Sequence, residues 1–222
     1  MPPRLLVTAG PTAEDIDAVR FLVNRSSGRA GAAVARAGVE RGWPTTLVLG
    51  PVALTPPAGC SVVGVRSAAD MLAAVLEGLN RHDILVMAAA VADYTPAEPA
   101  AGKLKKTPGD LCLRLKRTED ILARVAAHPR RRRMAVIGFS LDRDMNEEEG
   151  WRKLRDKNLD GIVVNTVASF GADTIRARLL WRDGSSEDAD GWDKDRLARA
   201  LLDRGGAILS GLFGLDGDDG LA

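Results

Sequence analysis

Leu5-Leu6-Val7-Thr8-Ala9-Gly10-Pro11-Thr12 and, after a short excursion, Asn24-Arg25-Ser26-Ser27-Gly28-Arg29-Ala30-Gly31 decide how this chain folds. The apolar run halts at a Gly-Pro turn, and the second segment opens an alanine-rich stretch with helical spacing. The order is therefore strand, turn, helix. Ser26 and Ser27 are N-cap residue types, and a helix start presents unpaired backbone N–H groups at its positive dipole end, which seats phosphate well. Gly28 and Gly31 permit close approach of a backbone or a ligand. The same residues also suit a plain, well-capped first helix. Their spacing matches neither G-x-G-x-x-G nor G-x-x-x-x-G-K-[ST], so a phosphate bound here would be held by a different turn.

Working outward, Ala30, Val34 and Ala37 share one face of a helix that ends near Gly42, and Thr45-Thr46-Leu47-Val48-Leu49 reads as a strand stopped by Gly50-Pro51. Val62-Val63-Gly64-Val65 is a short strand, and Ser67 with Asp70 caps a helix that turns Leu72, Val75, Leu76 and Leu79 inward. The continuous apolar run Ile84 to Val91 suits the central strand of a parallel sheet, covered on both faces. From Asp93 to Asp110 prolines, glycines and lysines break any regular element, which predicts a mobile flap over about 95–110. Alternation of Leu111, Leu113 and Leu115 with polar residues predicts a half-wet strand, with Thr118 capping the next helix. Ala135 to Phe139 and Gly161 to Asn165 are further buried strands, separated by a helix opened by Asn146 and Glu147-Glu148-Glu149. The strand Ala177 to Trp181, the Asp183-Gly184 hairpin signal, a terminal helix from Lys194 to Leu209 and a disordered tail over 214–222 close the chain. The expected architecture is one α/β domain over residues 1–222: a Rossmann-like, doubly wound, mainly parallel sheet with helices on both faces and a C-terminal antiparallel extension.

Composition narrows the function classes. A net charge of +1 gives no global reason to bind nucleic acid. The arginine run Arg130 to Arg133 precedes a strand and reads as a solvated turn. The two cysteines, Cys60 and Cys112, have neither disulfide nor metal spacing, and no apolar run approaches the roughly 20 residues that span a bilayer. A reduced, cytoplasmic protein with no membrane association is the simplest expectation.

In an open parallel sheet, ligands sit beyond the carboxyl ends of the strands. Those ends carry Gly10-Pro11-Thr12, Ala89 to Asp93, Phe139-Ser140 and Asn165. Asp93 follows an all-apolar strand, where its carboxylate could share a divalent metal with phosphate oxygens or simply cap the turn before Pro96. Lys103 could close over a polyphosphate as a flexible point charge, or belong to a solvated lysine loop with Lys105 and Lys106. Lys153 and Lys157, four apart on one helix face, could reach one anion; Glu149 could instead pair with Lys153. His82 and His128 lie in polar helix-end contexts away from the crevice, and no nucleophilic triad is suggested. The groups present favour nucleotide chemistry by positioning and electrostatics.

Taken in order, Thr8-Ala9-Gly10-Pro11-Thr12, Val19-Arg20-Phe21-Leu22, Asn24-Arg25-Ser26-Ser27-Gly28, Ala88-Ala89-Ala90-Val91-Ala92-Asp93-Tyr94, Lys103-Leu104-Lys105-Lys106, Gly138-Phe139, Lys157-Asn158-Leu159-Asp160 and Phe170-Gly171-Ala172-Asp173 resemble the phosphopantothenate-cysteine ligase family, the synthetase half of the bacterial bifunctional coenzyme A biosynthesis flavoprotein. The resemblance implies a homodimeric ligase in which 4′-phosphopantothenate and CTP, or ATP in its place, form an acyl-nucleotidyl intermediate that L-cysteine then attacks, with Mg2+ assisting. By the same resemblance Lys103 serves intermediate formation and Asn24 holds the intermediate for the cysteine step. Ala89, Ala90 and Asp93 match the phosphopantothenate and metal region, and Arg20 matches an arginine that reaches the neighbouring subunit's substrate phosphate. Phe139, Lys153 and Lys157 match the nucleotide contacts, and the turn of Gly10, Ser26, Ser27 and Gly28 is expected to take the nucleotide's phosphates. Ser140-Leu141-Asp142-Arg143 and Asn165-Thr166-Val167 depart from the family's pattern. No flavin-binding motif of the decarboxylase half is present, so the expectation is a separate decarboxylase polypeptide. An NAD(P)-dependent reductase, which shares the fold class, and a non-catalytic nucleotide- or metabolite-binding module are the competing readings; the absent glycine fingerprint weighs against the reductase.

Overall fold

A computed structural model describes residues 1–106, 108–166, 172 and 174–215 of the chain, with side chains through 212. In chain order the elements are β1 (Leu5–Ala9), β2 (Ala13–Asp15), β3 (Phe21–Val23), α1 (Arg29–Glu40), β4 (Thr45–Leu49), β5 (Ser61–Gly64), α2 (Ala68–Leu79), β6 (Ile84–Met87), β7 (Tyr94–Pro96) and β8 (Leu115–Arg117). They continue with α3 (Ile121–Ala126), a short 3-10 turn (Pro129–Arg133), β9 (Ala135–Leu141), α4 (Glu147–Asp156), β10 (Gly161–Asn165), β11 (Thr174–Ile175), β12 (Ala177–Trp181), β13 (Ser186–Asp188), β14 (Trp192–Asp193) and α5 (Lys194–Leu215).

Eight strands form one sheet in the order β13-β12-β10-β9-β6-β1-β4-β5. Neighbours from β10 through β5 pair in parallel, whereas β12 runs antiparallel to β10 and β13 antiparallel to β12. This is the Rossmann-like sheet expected, with its antiparallel extension. Because strand side chains alternate faces, Leu5, Val7 and Ala9 enter one core with α1 and α5, while Leu6 enters the other with α2, α3 and α4. The winding leaves β1 toward β4 and β5 on one side, then returns through α2 to β6 on the other. The switch point therefore lies between the carboxyl ends of β1 and β6, where Pro11 bridges Ala90.

Local departures from the sequence reading have physical causes. Neither Ser26 nor Ser27 caps α1; Gly28 does, with φ 71°, and Ser26 Oγ only accepts from the Gly28 N–H at 3.4 Å. A left-handed N-cap is open to glycine at no steric cost. At Gly31 the neighbour that comes close is not a ligand but β1: a Cβ there would stand 2.6 Å from Ala9 Cβ. The apolar run that starts at Ile84 is strand only to Met87, because the following backbone turns over the sheet edge to meet Thr12 and Asn24. Leu111, Leu113 and Leu115 are exposed, and only Leu115 joins a strand, so their alternation does not mark a buried face. Thr118 gives its hydroxyl to the Ala92 carbonyl at 2.6 Å, leaving Asp120 to cap α3.

The arginine run is not simply solvated. Arg131 is buried, donates to the carbonyls of Asn158 and Met134, and pairs with Asp160 at 2.9 Å. His82 is likewise buried, between the Gly78 carbonyl and the Thr46 hydroxyl. The terminal helix is longer than expected and ends at Leu215. Of the stretch Phe170 to Asp173 only Ala172 is described, and the tail beyond Leu215 lies outside the described residues. Among the described residues no helix is long and apolar enough to cross a membrane.

Candidate functional site at the sheet switch point

The site begins with a loop that the rest of the rim pins down. After β6 the chain passes through Ala88 to Asp93, and three of its N–H groups and four of its carbonyls find specific partners. Thr8 Oγ1 accepts from the Ala89 N–H at 3.2 Å, the Gly10 carbonyl accepts from the Ala90 N–H at 2.9 Å, and Thr12 Oγ1 accepts from the Ala92 N–H at 2.9 Å. Thr118 closes the loop through the carbonyls of Ala92 and Asp93. Thr8 and Thr12 are fully buried, and neither was read as a site residue from the sequence. Their signal was present: each is a hydroxyl inside or beside an otherwise apolar strand, where it must find a partner.

Asn24 follows β3 and reaches over this loop. Its Nδ2 donates to the carbonyls of Val91 at 3.0 Å and Ala90 at 3.3 Å, which aims the amide at the switch point. With both N–H bonds used on the backbone, Oδ1 is left as the amide's acceptor, able to take a substrate N–H or O–H. Asn24, Ser26 and Ser27 line a cleft of about 530 Å³ together with Pro11, Arg25 and Arg29. A more open groove of about 720 Å³ lies between β5 and α2, lined by Val63, Arg66, Asp70 and Glu77; it meets the cleft at Pro51 and Val52 and contains none of the expected site residues. Volume alone favours that groove, but its position beside an edge strand, away from the switch point, offers no convergent set of donors and acceptors.

Gly10 and Gly28 meet behind the cleft, both at positive φ, so closely that a Cβ on Gly28 would stand 3.2 Å from the Gly10 N. Asp93 is exposed, and its side chain makes no hydrogen bond or ion pair among the described residues. No group of three His, Cys, Asp or Glu side chains is arranged for a metal ion among the described residues. A lone open carboxylate suits Mg2+, which keeps several waters and is held through one or two carboxylates plus substrate phosphates.

The lysines divide into three situations. Lys153 Nζ donates to Ser140 Oγ at 2.9 Å, beside Phe139, a contact the spacing did not suggest, and lies 3.6 Å from Glu149, the pairing it did. Lys157 pairs with Asp120. Burial opposes ionisation of Asp120, but Lys157 and the Ala123 N–H outweigh it and hold the carboxyl below its usual value. Lys103 is exposed and its side chain has no partner among the described residues. Its backbone neighbour Leu104, however, is fastened at the far end of the β2–β3 hairpin. Arg20, on that hairpin, pairs with buried Asp17. No hydrogen bond or ion pair joins Lys103 to Asn24 or Asp93 among the described residues. Asp142 accepts from the N–H groups of Asp144 and Asn146, so it shapes the turn into α4.

Fold and cleft together define a Rossmann-like α/β protein whose cleft, lined by Pro11, Asn24, Ser26 and Ser27, opens where the winding reverses. The chain belongs to the family described as the DNA/pantothenate metabolism flavoprotein C-terminal domain, whose pattern matches residues 2–207. It is 42% identical over 224 residues to the coenzyme A biosynthesis bifunctional protein CoaBC of Mycobacterium bovis, covering 95% of this chain and 53% of that protein. It is also 42% identical over 204 residues to a cysteine/cysteine sulfinic acid decarboxylase from an unknown prokaryotic organism, covering 90% of this chain and 56% of that one. The crystal structure of the C-terminal domain of CoaBC superposes with a TM-score of 0.81 at 36% identity, covering 94% of this chain and 96% of that domain. The chain thus spans about half the length of these curated relatives, and corresponds to the C-terminal domain of the bifunctional protein.

Proposed function

We propose that the chain is a phosphopantothenate-cysteine ligase of coenzyme A biosynthesis, using CTP, with ATP as the alternative nucleotide. The observation that carries this reading is the Asn24 amide, fixed by two carbonyls of the β6 loop that leads into Asp93, with its oxygen left as an acceptor. In the first step a carboxylate oxygen of 4′-phosphopantothenate attacks the α-phosphorus of the nucleotide, and the bond to pyrophosphate breaks. In the second the amine of L-cysteine attacks the acyl carbon, the acyl–phosphate bond breaks, CMP leaves and the amine proton passes to water.

The residues divide this work. The N-terminal turn of α1 with Gly10, Ser26, Ser27 and Gly28 takes phosphate oxygens. Lys103 neutralises charge developing on the pyrophosphate leaving group. Asn24 accepts a hydrogen bond and moves no proton. Mg2+ bound through Asp93 would supply charge neutralisation between carboxylate and phosphate oxygens. Phe139, Lys153 and Lys157 face the nucleotide, while Ala89 and Ala90 supply backbone to the pantothenate chain. Catalysis of this kind is positioning and electrostatics, which is what the cleft offers.

We also read the protein as a homodimer. Val19, Phe21 and Val23 on the β2–β3 hairpin and Tyr94 and Leu115 on the β7–β8 ribbon are exposed apolar residues on two ribbons that adjoin. Such a patch suits a second copy of the chain, and it would carry Arg20 toward the partner's substrate phosphate.

Incubating the protein with 4′-phosphopantothenate, L-cysteine, Mg2+ and either nucleotide tests the reading. CTP should yield pyrophosphate and CMP in equal amounts, and NADPH should give no thermal shift where CTP does. Absence of pyrophosphate with both nucleotides overturns the ligase reading.

A further inference from the structure

Asp17 lies in the turn between β2 and β3, with its side chain 0% exposed while that of Arg20 is 44% exposed. Five donors converge on this carboxylate. Oδ1 accepts the Val19 and Arg20 backbone N–H groups, both at 2.8 Å. Oδ2 accepts Arg20 Nε at 2.9 Å, Arg20 Nη2, and the backbone N–H of Leu104 at 3.1 Å. Arg20 Nη2 also donates to the Leu104 carbonyl at 3.1 Å. Both polar backbone groups of Leu104, the residue next to Lys103, are thus gripped by one ion pair more than eighty residues away in sequence. The Ala100 N–H, bonded to the Ile16 carbonyl at 3.0 Å, adds a second anchor from the same hairpin.

The carboxylate is shielded by the two loops it joins rather than by the core. Arg20, above all, holds it well below the usual carboxylate range, so the grip stays ionised at any working pH. Lys103 itself is left without a side-chain partner among the described residues, its ammonium free to swing while its backbone is held. A tether of this kind confines a long, flexible side chain to a small volume without using up its charge.

We infer that Asp17 is a positioning residue for Lys103, acting through Arg20 and the Leu104 backbone to set where the flap lysine can reach. The inference rests on the ligase reading for what Lys103 then does. Arg20 Nη1 has no partner among the described residues, so the guanidinium can meet a substrate phosphate without releasing Leu104. The same fork would then register the arrival of an anion and hold the lysine segment.

Hydrogen exchange and half-reaction kinetics on the full chain test this. In the wild type the Leu104 amide should exchange more slowly than those of Lys105 and Lys106. Asp17→Asn should abolish that protection while amides of β1 and β6 keep theirs. It should lower kcat for pyrophosphate release about 10²-fold, the loss expected for a misplacement of about 1 Å, with the KM for cysteine unchanged. Leu104→Pro, which deletes the flap-side donor and also restricts the Lys103 backbone but leaves the hairpin's own bonds, should give the same kinetic pattern and covers the case in which Asp17→Asn fails to fold. Unchanged Leu104 exchange in Asp17→Asn, or a loosened Leu104 with normal pyrophosphate release, overturns the inference. A wild type that releases no pyrophosphate sinks the ligase reading instead, and the exchange measurement still decides whether the grip exists.

Discussion

His82 shows how a single buried group sets a property that the sequence hides. Its Nδ1 lies 2.7 Å from the Gly78 carbonyl and must donate, which leaves Nε2 to accept from the Thr46 hydroxyl at 3.0 Å. Burial, above all, pushes the imidazole below its ordinary value of 6.5, and Arg4 and Arg81 add to this against the opposing Gly78 carbonyl and Asp83. The folded state keeps the ring neutral, so the unfolded chain binds the extra proton. Stability is complete above pH 6.5 and is lost as pH falls through that value toward the folded one. One proton is worth at most about 1.4 kcal/mol per pH unit. Urea unfolding should therefore show a lower midpoint at about pH 5.5 than at pH 7.5, and His82→Gln should flatten the difference. Equal midpoints for the wild type would contradict the assignment. Read from the sequence, His82 was a polar helix-end residue; only the packing of β4 beneath α2 reveals it as a buried neutral ring.

At the scale of elements, what was legible in the sequence follows from how local its cause is. The capping box of Ser67 and Asp70 and the Asn146 cap are satisfied within a turn of helix, and both stand where the sequence put them. The strands β1, β4 and β10 were readable because burial on both faces calls for mainly apolar runs. Leu111, Leu113 and Leu115 misled because alternation records two unlike faces, and here neither face meets the core. The threonines around the β6 loop were missed because their partners are distant in the chain, and Asp17 because the donor that ties it to the lysine segment, the Leu104 N–H, is equally distant. Within the candidate site, Asn24 and its neighbours are contiguous in sequence and were visible, whereas the Leu104 tether is a tertiary fact. Gly31 gives a test at this scale. Replacing a helical glycine by alanine gains about 1 kcal/mol of propensity. The new Cβ would stand 2.7 Å from the Thr8 carbonyl oxygen and 2.6 Å from Ala9 Cβ, in a fully buried strand that cannot yield. Overpacking of this sort costs about 1–3 kcal/mol, so Gly31→Ala should lose about 1 kcal/mol net in chemical denaturation; a gain in stability would show that α1 can lift off β1.

The whole molecule adds two further claims, assembly and reaction. If the exposed apolar face of the two ribbons pairs copies of the chain, Phe21→Asp should sediment as a monomer where the wild type sediments as a dimer. The ring of Phe21 rests under the Arg66 guanidinium at 5.2 Å, so the change removes apolar area from the patch without opening the core. A wild type that is monomeric at micromolar concentration would count against the shared interface and against any role for Arg20 in a neighbouring site. The reaction itself is tested most directly by a single-turnover experiment with 4′-phosphopantothenate, CTP and Mg2+ but no cysteine. The account predicts one pyrophosphate per active site released in a burst, no burst with Lys103→Ala, and an acyl-nucleotidyl species that survives cysteine addition in Asn24→Ala. No pyrophosphate from the wild type until cysteine is added, or none at all, would contradict it.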